Sequence, residues 1–205
     1  MPRSSVSDPI RNFKFQVKII PTPSSRLASY LNGISDLGFA AMSGLTVQHS
    51  VVGYREGGMN THTHKLVGQS DFTAITFSRG VIANQAQLWR WSEFLHSWNQ
   101  ASLSSDSNVD FGNDYRCDIF VQVFDHPHAA GSYQEPGNSP GTVGNYPLGK
   151  PRLGLKLFNC WPGAYTLTDL SAGDSGILVQ QLTVHHEGFK LGWTAEEIES
   201  LKTGN

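Results

Sequence analysis

The sequence predicts a mainly β fold of the α+β kind: a β-barrel or sandwich subunit with an extended β-hairpin and one packed α-helix. Three observations predict it. Several runs alternate apolar and polar residues with period two. Gly (21) and Pro (10) are abundant and fall between those runs, as turns require. Only Asn84 to Gln100 carries a long helical periodicity.

The chain has 205 residues, which suits one domain. Hydrophobic residues are 39%, enough for a core, and no apolar run approaches the ~20 residues that span a bilayer. Charged residues are only 16%, so the surface must be polar without being strongly charged. With 15 basic against 17 acidic residues the net charge is −2, which excludes a basic protein gripping nucleic acid through many phosphates. Cys117 and Cys160 allow one disulfide but not a disulfide framework. The first residues lack the apolar core of a secretory signal, so the expectation is a cytosolic chain with reduced thiols.

Residues 1–11 are polar and aperiodic and are expected to form an arm. Asn12 to Ile19 alternates as a half-buried strand, and Pro21 and Pro23 end it. Leu27 and Leu31, four apart, predict a helical turn or two within Ser24–Asn32. A strong strand follows Gly44, with Leu45, Val47, His49 and Val51 on one face and Thr46, Gln48, Ser50 and Val52 on the other. Gly57 and Gly58 mark a hairpin tip, and Phe72 to Arg79 is the expected return strand. The helix over 84–100 should be capped by Asn84 and bury Leu88, Trp91, Leu95 and Trp98.

Beyond the helix, Arg116 to Phe124 alternates as a strand. His126 to Pro151 is rich in Pro and Gly and nearly free of aliphatics, so it reads as a surface loop. The block 101–150 carries six acids and two bases, a net charge of −4, which leaves +2 for the rest of a −2 chain. Strand-like runs follow at Arg152–Cys160, Tyr165–Leu170 and Gly176–Phe189, the last with an offset that calls for a bulge or for burial on both sides. Thr194 and Glu197 have capping-box spacing and predict a short terminal helix.

Little in the chain points to catalysis. The histidine pairs His62/His64, His126/His128 and His185/His186 lack a companion ligand at metal spacing, so no metal site is expected. There is no phosphate loop. Cys160 reads as a small buried hydrophobe. Trp91 and Trp98 belong to the helix's core stripe, whereas Trp89, Trp161 and Trp193 leave open a carbohydrate-binding β-sandwich. A hydrolase using the histidine pairs with a metal is a further alternative.

Taken in order, several short pieces resemble the tail-tube proteins of contractile phage tails and related injection systems. They are Ser43-Gly44-Leu45, Tyr54-Arg55-Glu56-Gly57-Gly58, Lys65-Leu66 with Gly68, Leu88-Trp89 and Trp161-Pro162. The resemblance runs from about Asp8 to Leu191. It implies a structural, non-enzymatic virion protein with no cofactor. It implies hexameric rings stacked into an inner tube within a sheath, meeting baseplate and tail terminator proteins, with DNA passing through the lumen without sequence-specific binding and no membrane contact. Assembly would take place in the host cytoplasm. An inner-tube or tube-initiator role in an injection system is the neighbouring alternative. On this reading residues 1–205 are one tail-tube domain, with insertions at 20–36 and 101–150 and an extension at 192–205.

An extended hairpin leaves open edges that invite pairing with another copy. The resemblance places the subunit and ring interface at Tyr54, Arg55, Glu56, Gly57, Gly58 and Lys65, with the loop Glu56 to Gly68 reaching a neighbouring ring. Thr46, Gln48, Ser50, Thr76 and Ser78 form an uncharged face, expected to line the lumen, where phosphate-gripping cations would hinder sliding. Val47, Val51, Ile75 and Phe77 are expected to pack on the Trp91/Leu95 stripe.

Overall fold

The computed structural model describes residues 10–21, 27–28, 31, 38–59, 61–83, 85–101, 115–124, 142–143, 146–147, 151–173 and 175–203. The strands are β1 (Phe15–Pro21), β2 (Ala41–Ser43), β3 (Val47–Tyr54), β4 (His64–Phe72), β5 (Ile75–Gly80), β6 (Cys117–Phe124), β7 (Thr142–Val143), β8 (Tyr146–Pro147), β9 (Pro151–Leu167), β10 (Val179–His185) and β11 (Gly188–Gly192). The helices are α1 (Gln87–Ala101) and α2 (Ala195–Thr203).

The long strand β9 organises the molecule. Its first half lies between β6 and β11, and β1 pairs on the far side of β6. Its second half pairs with β10, which continues through β5 to β2. Every one of these pairings is antiparallel. The sequence predicts two strands, 152–160 and 165–170, where the structure has one. Two irregularities let the single strand serve both sheets. Asn159 takes a positive φ of 52° where the register with β6 shifts. Gly163 is the extra residue where the register with β10 shifts, next to Pro162, whose missing N–H a bulge tolerates.

The core lies between the two sheets and α1. It holds Val17 and Ile19 of β1, Ile75 and Phe77 of β5, Ile119 and Val121 of β6, Leu155 and Leu157 of β9, and Leu182 and Val184 of β10. Leu88 and Trp91 of α1 complete it, and the Trp91 indole N–H donates to the Tyr115 carbonyl at 3.4 Å. Leu27 and Leu31 are buried, and the Leu31 N–H donates to the Leu27 carbonyl, which closes the helical turn expected there. Asn84, the expected cap of α1, and the Trp98 side chain lie outside the described residues. So do the arm 1–9, most of 20–36, and all of 101–150 except Ala101, 115–124 and the short β7–β8 pair.

Helix α2 rests on β9 and β11 over two glycines that face each other, Gly154 and Gly192. A Cβ on Gly154 would meet Ile198 at 3.1 Å, and one on Gly192 would meet Leu201 at 3.0 Å. The absence of side chains there lets the helix sit close to the sheet. The capping box forms as predicted: the Glu197 N–H donates to Thr194 Oγ1 at 3.2 Å, and the Thr194 N–H donates to Glu197 Oε2 at 3.1 Å.

Candidate assembly surface

The extended hairpin is present, but its return strand is β4 rather than the expected Phe72 to Arg79. Strand β3 pairs with β4, while β5 belongs to the main sheet. The reason is the connection Thr73–Ala74. The Thr73 N–H donates to the Thr46 carbonyl, its hydroxyl donates to the Gly44 carbonyl at 2.5 Å, and the chain then turns out of the ribbon. Gly44, at φ 96°, makes room for this, since a Cβ there would lie 2.5 Å from the Ala74 carbonyl oxygen. The pattern of alternation continues through the turn, so it could not show where one strand ends. The loop is therefore shorter than Glu56 to Gly68: Lys65 and Gly68 lie on β4, with Lys65 opposite Gly53.

Every residue of β3 is exposed, and β4 nearly so. One face of the ribbon carries Val47, Val51 and Val67, and the other Val52, Leu66 and Tyr54. Val51 is 64% exposed, Leu66 56% and Val67 81%. Val47 and Val51 are therefore exposed rather than packed on Trp91 as expected, whereas Ile75 and Phe77, on a different sheet, are buried in the same core as Trp91. A two-stranded ribbon uncovered on both faces is marginal in water by itself, and its outer backbone groups lack a ladder partner among the described residues.

The ribbon is nonetheless built at both ends. At its root, Phe72 packs on His186 and Phe189 with ring centroids 5.7 and 5.9 Å apart. The buried His186 ring lies 3.1 Å from the Thr73 carbonyl and 3.2 Å from that of Gly188. At its tip, the Met59 N–H donates to the Glu56 carbonyl across Gly57 and Gly58, with Gly58 at the positive φ (95°) such a turn asks of its third residue. Tyr54 donates to Glu56 Oε1 at 2.9 Å and Arg55 Nε to Thr63 Oγ1 at 3.0 Å. Arg55 and Glu56 thus make contacts within the tip. Tyr54 stacks on His64, and His62 meets His64 edge-on.

The uncharged face is larger than the sequence reading made it, and differently built. Thr76 and Ser78 of β5 do not share the ribbon with Thr46, Gln48 and Ser50. They share a sheet face with Ala41 and Ser43 of β2, Gln181 and Thr183 of β10, and Ala164 and Thr166 of β9. All eight point away from the core, and none is charged. The Thr76 and Thr183 hydroxyls lie 3.4 Å apart. Arg79, the base on β5, points inward and is 3% exposed; burial lowers its pKa. On the ribbon itself Gln48 faces Asp71, so that face is not free of charge. Gln181, Thr183, Ala164 and Thr166 were missed because strands distant in sequence contribute them; only sheet order joins them.

Of the tryptophans that leave open a carbohydrate role, Trp193 and Trp89 are exposed. Trp161 has a ring face covered by His185, with centroids 4.6 Å apart, and Trp89 meets Tyr165 edge to face. Among the described residues no group of three His, Cys, Asp or Glu is placed to hold a metal. His126 and His128 lie outside them. No described helix is long and apolar enough to cross a membrane.

Two open sheets sharing one strand, with an uncovered apolar ribbon beside a charge-free wall, define a structural building block for assembly. The family comparison makes this specific. The chain belongs to the T4-like virus tail tube protein gp19 family, whose model matches residues 11–190. The helix α2, resting on the glycine pair, lies past that match. A comparison with curated proteins finds no match. Among solved structures, the fold is similar to a chain of the sheath–tube complex of an extracellular contractile injection system, PVC, in the extended state. Identity is 20%, TM-score 0.61, and coverage 93% of this chain and 95% of the other. It is also similar to a chain of the anti-feeding prophage baseplate (18% identity, TM-score 0.62, covering 93% and 99%). A third likeness is to a chain of the anti-feeding prophage tube-terminating cap (19% identity, TM-score 0.60, covering 94% and 97%).

Proposed function

We propose that this chain is the inner-tube subunit of a contractile tail, and that identical copies close into hexameric rings that stack into a hollow tube. The observation that carries this reading is the β3–β4 ribbon, anchored at its root and uncovered on both apolar faces. A neighbouring copy would cover it. Contact between unlike surfaces of successive rings is heterologous and does not close, so it propagates as a filament. The tip residues Tyr54, Arg55, Glu56, Gly57, Gly58 and Lys65 are then the points of contact with the next ring.

The lumen wall is the sheet face of Thr76, Ser78, Gln181 and Thr183, continued by Thr46, Gln48 and Ser50. A sheet face without charge, and an acid (Asp71) rather than a base beside Gln48 on the ribbon, suit the passage of DNA, because each cation bound to phosphate adds affinity and would slow transit. The sheath–tube, baseplate and cap assemblies of the similar structures support a sheath outside the tube, a baseplate at one end and a terminator at the other. The protein would accordingly reside in the particle after assembly in the host cytoplasm, without catalytic activity. The family match favours DNA as cargo, while the likeness to injection-system chains keeps a protein cargo as the second reading.

Electron microscopy of the purified protein tests this reading. Annular particles or rods with an open bore are expected. Discrete monomers under all conditions, including in particles purified from the source, would overturn it.

A further inference from the structure

Cys117 and Cys160 lie directly opposite each other on the antiparallel strands β6 and β9. Their alignment depends on the irregularity at Asn159. From Ile119↔Leu157 an unbroken register would place Asn159 opposite Cys117. The added residue in β9 moves Cys160 there instead, and turns it to the core side with Leu155 and Leu157. Asn159 is held in its left-handed conformation from outside. Its N–H donates to Asp118 Oδ1 at 3.2 Å, and its amide Nδ2 donates to Glu187 Oε2 at 2.6 Å. Glu187 also pairs with Arg116. The two thiols are free and almost wholly buried, at 2% and 0% exposure. The Cys117 thiol lies 3.8 Å from the Cys160 carbonyl.

We propose that Cys117 and Cys160 are a redox-responsive cross-strand pair that takes a small-molecule disulfide, such as oxidised glutathione, as its oxidant. Directly opposed residues in antiparallel strands have Cα atoms about 4.5–5.5 Å apart, within the span a disulfide bridges. The closed fold exposes neither thiol, so the oxidant reacts when β6 parts locally from β9: one cysteine thiolate attacks it and releases one glutathione thiolate. The second cysteine thiolate attacks the mixed disulfide and releases the other. The two cysteine protons end on the two released thiols, and the two electrons lost by the cysteines reduce one glutathione disulfide.

Burial raises both thiol pKa values, with the neighbouring Asp118 adding to the effect on each. Few thiolates are present at neutral pH, so closure is slow and accelerates in alkali. In a reducing compartment the pair stays open; outside it the bond pins β6 to β9 where β9 leaves one sheet for the other.

The test is equilibration of the purified protein in reduced and oxidised glutathione, with and without denaturant. The chain is then unfolded in acid, its thiols alkylated and its mass measured. The expected result is an intramolecular disulfide favoured at least tenfold more in the folded than in the unfolded chain, and a melting temperature raised by about 5 °C that a dithiol reverses. Cys160→Ala should abolish both effects, and Asn159→Gly, which keeps the left-handed residue, should preserve them. Thiols that remain fully alkylatable, a stable mixed glutathione adduct, a bond between chains, or equal preference in the two states would each overturn the proposal.

Discussion

At the residue scale, a few side chains hold conformations that their neighbours would not otherwise adopt. Asn159 is the described non-glycine residue with a left-handed φ, and two hydrogen bonds fix it, one to Asp118 and one to Glu187. Its substitution by Ala should cost about 1–2 kcal/mol, because Ala keeps the steric penalty and loses the side-chain bond to Glu187, while Asn159→Gly should cost less. Chemical denaturation of the two variants separates them. Thr194 caps α2, and Thr194→Ala should destabilise by about 1 kcal/mol. Glu197 shows the electrostatic side of the same cap. The backbone N–H groups of Trp193 and Thr194 hold its carboxyl below the usual range. A carboxylate depressed in the folded state adds stability above its unfolded value and loses it as pH falls through the folded one. The gap between wild type and Glu197→Gln in a pH series of melting curves should therefore be open at neutral pH and close below about pH 4.

At the element scale, sequence pattern located most strands but not their partners. The alternation of β1, β3 and β6 and the capping box of α2 were legible because each is a local pattern of side chains or turn chemistry, whereas the single run expected over Gly176–Phe189 is divided between β10 and β11. The switch from ribbon to sheet at Thr73–Ala74 was not. It is made by a hydroxyl and an amide reaching back to Gly44 and Thr46, 29 and 27 residues away. The continuity of β9 was hidden for a similar reason, since Pro162 and Gly163 look like a break unless β9 is known to bulge there against β10. The seat of α2 was also unread, because an isolated Gly154 gives no hint that Gly192 faces it. Gly154→Val should push Ile198 away and cost about 1–3 kcal/mol, with loss of helical signal from α2 in hydrogen exchange. The ribbon behaves differently. Its exposed residues do not support the core, so Leu66→Asp and Val67→Asp should leave the melting temperature of the isolated subunit nearly unchanged while abolishing association.

At the scale of the whole molecule, two surfaces with opposite chemistry divide the work. The apolar ribbon is a liability unless another copy covers it. The eight-residue polar wall offers nothing for phosphate to grip. By alternation, Val47 and Val51 read as core-facing and Thr76 and Ser78 as part of one hairpin face; the fold instead exposes the first pair on the ribbon and sets the second on the main sheet, because alternation shows order along the chain but not order across a sheet. Placing cations on the wall tests its role. Thr183→Lys combined with Gln181→Lys should leave assembly intact and add DNA binding that weakens steeply with salt, by electrophoretic mobility. The central claim is that the ribbon is completed by another copy of the same chain. Sedimentation velocity of wild-type protein beside Val67→Asp, over a concentration series, tests it most directly. Wild type should shift to ring-sized and larger species while the variant stays monomeric and folded; equal sedimentation of the two at every concentration would contradict it.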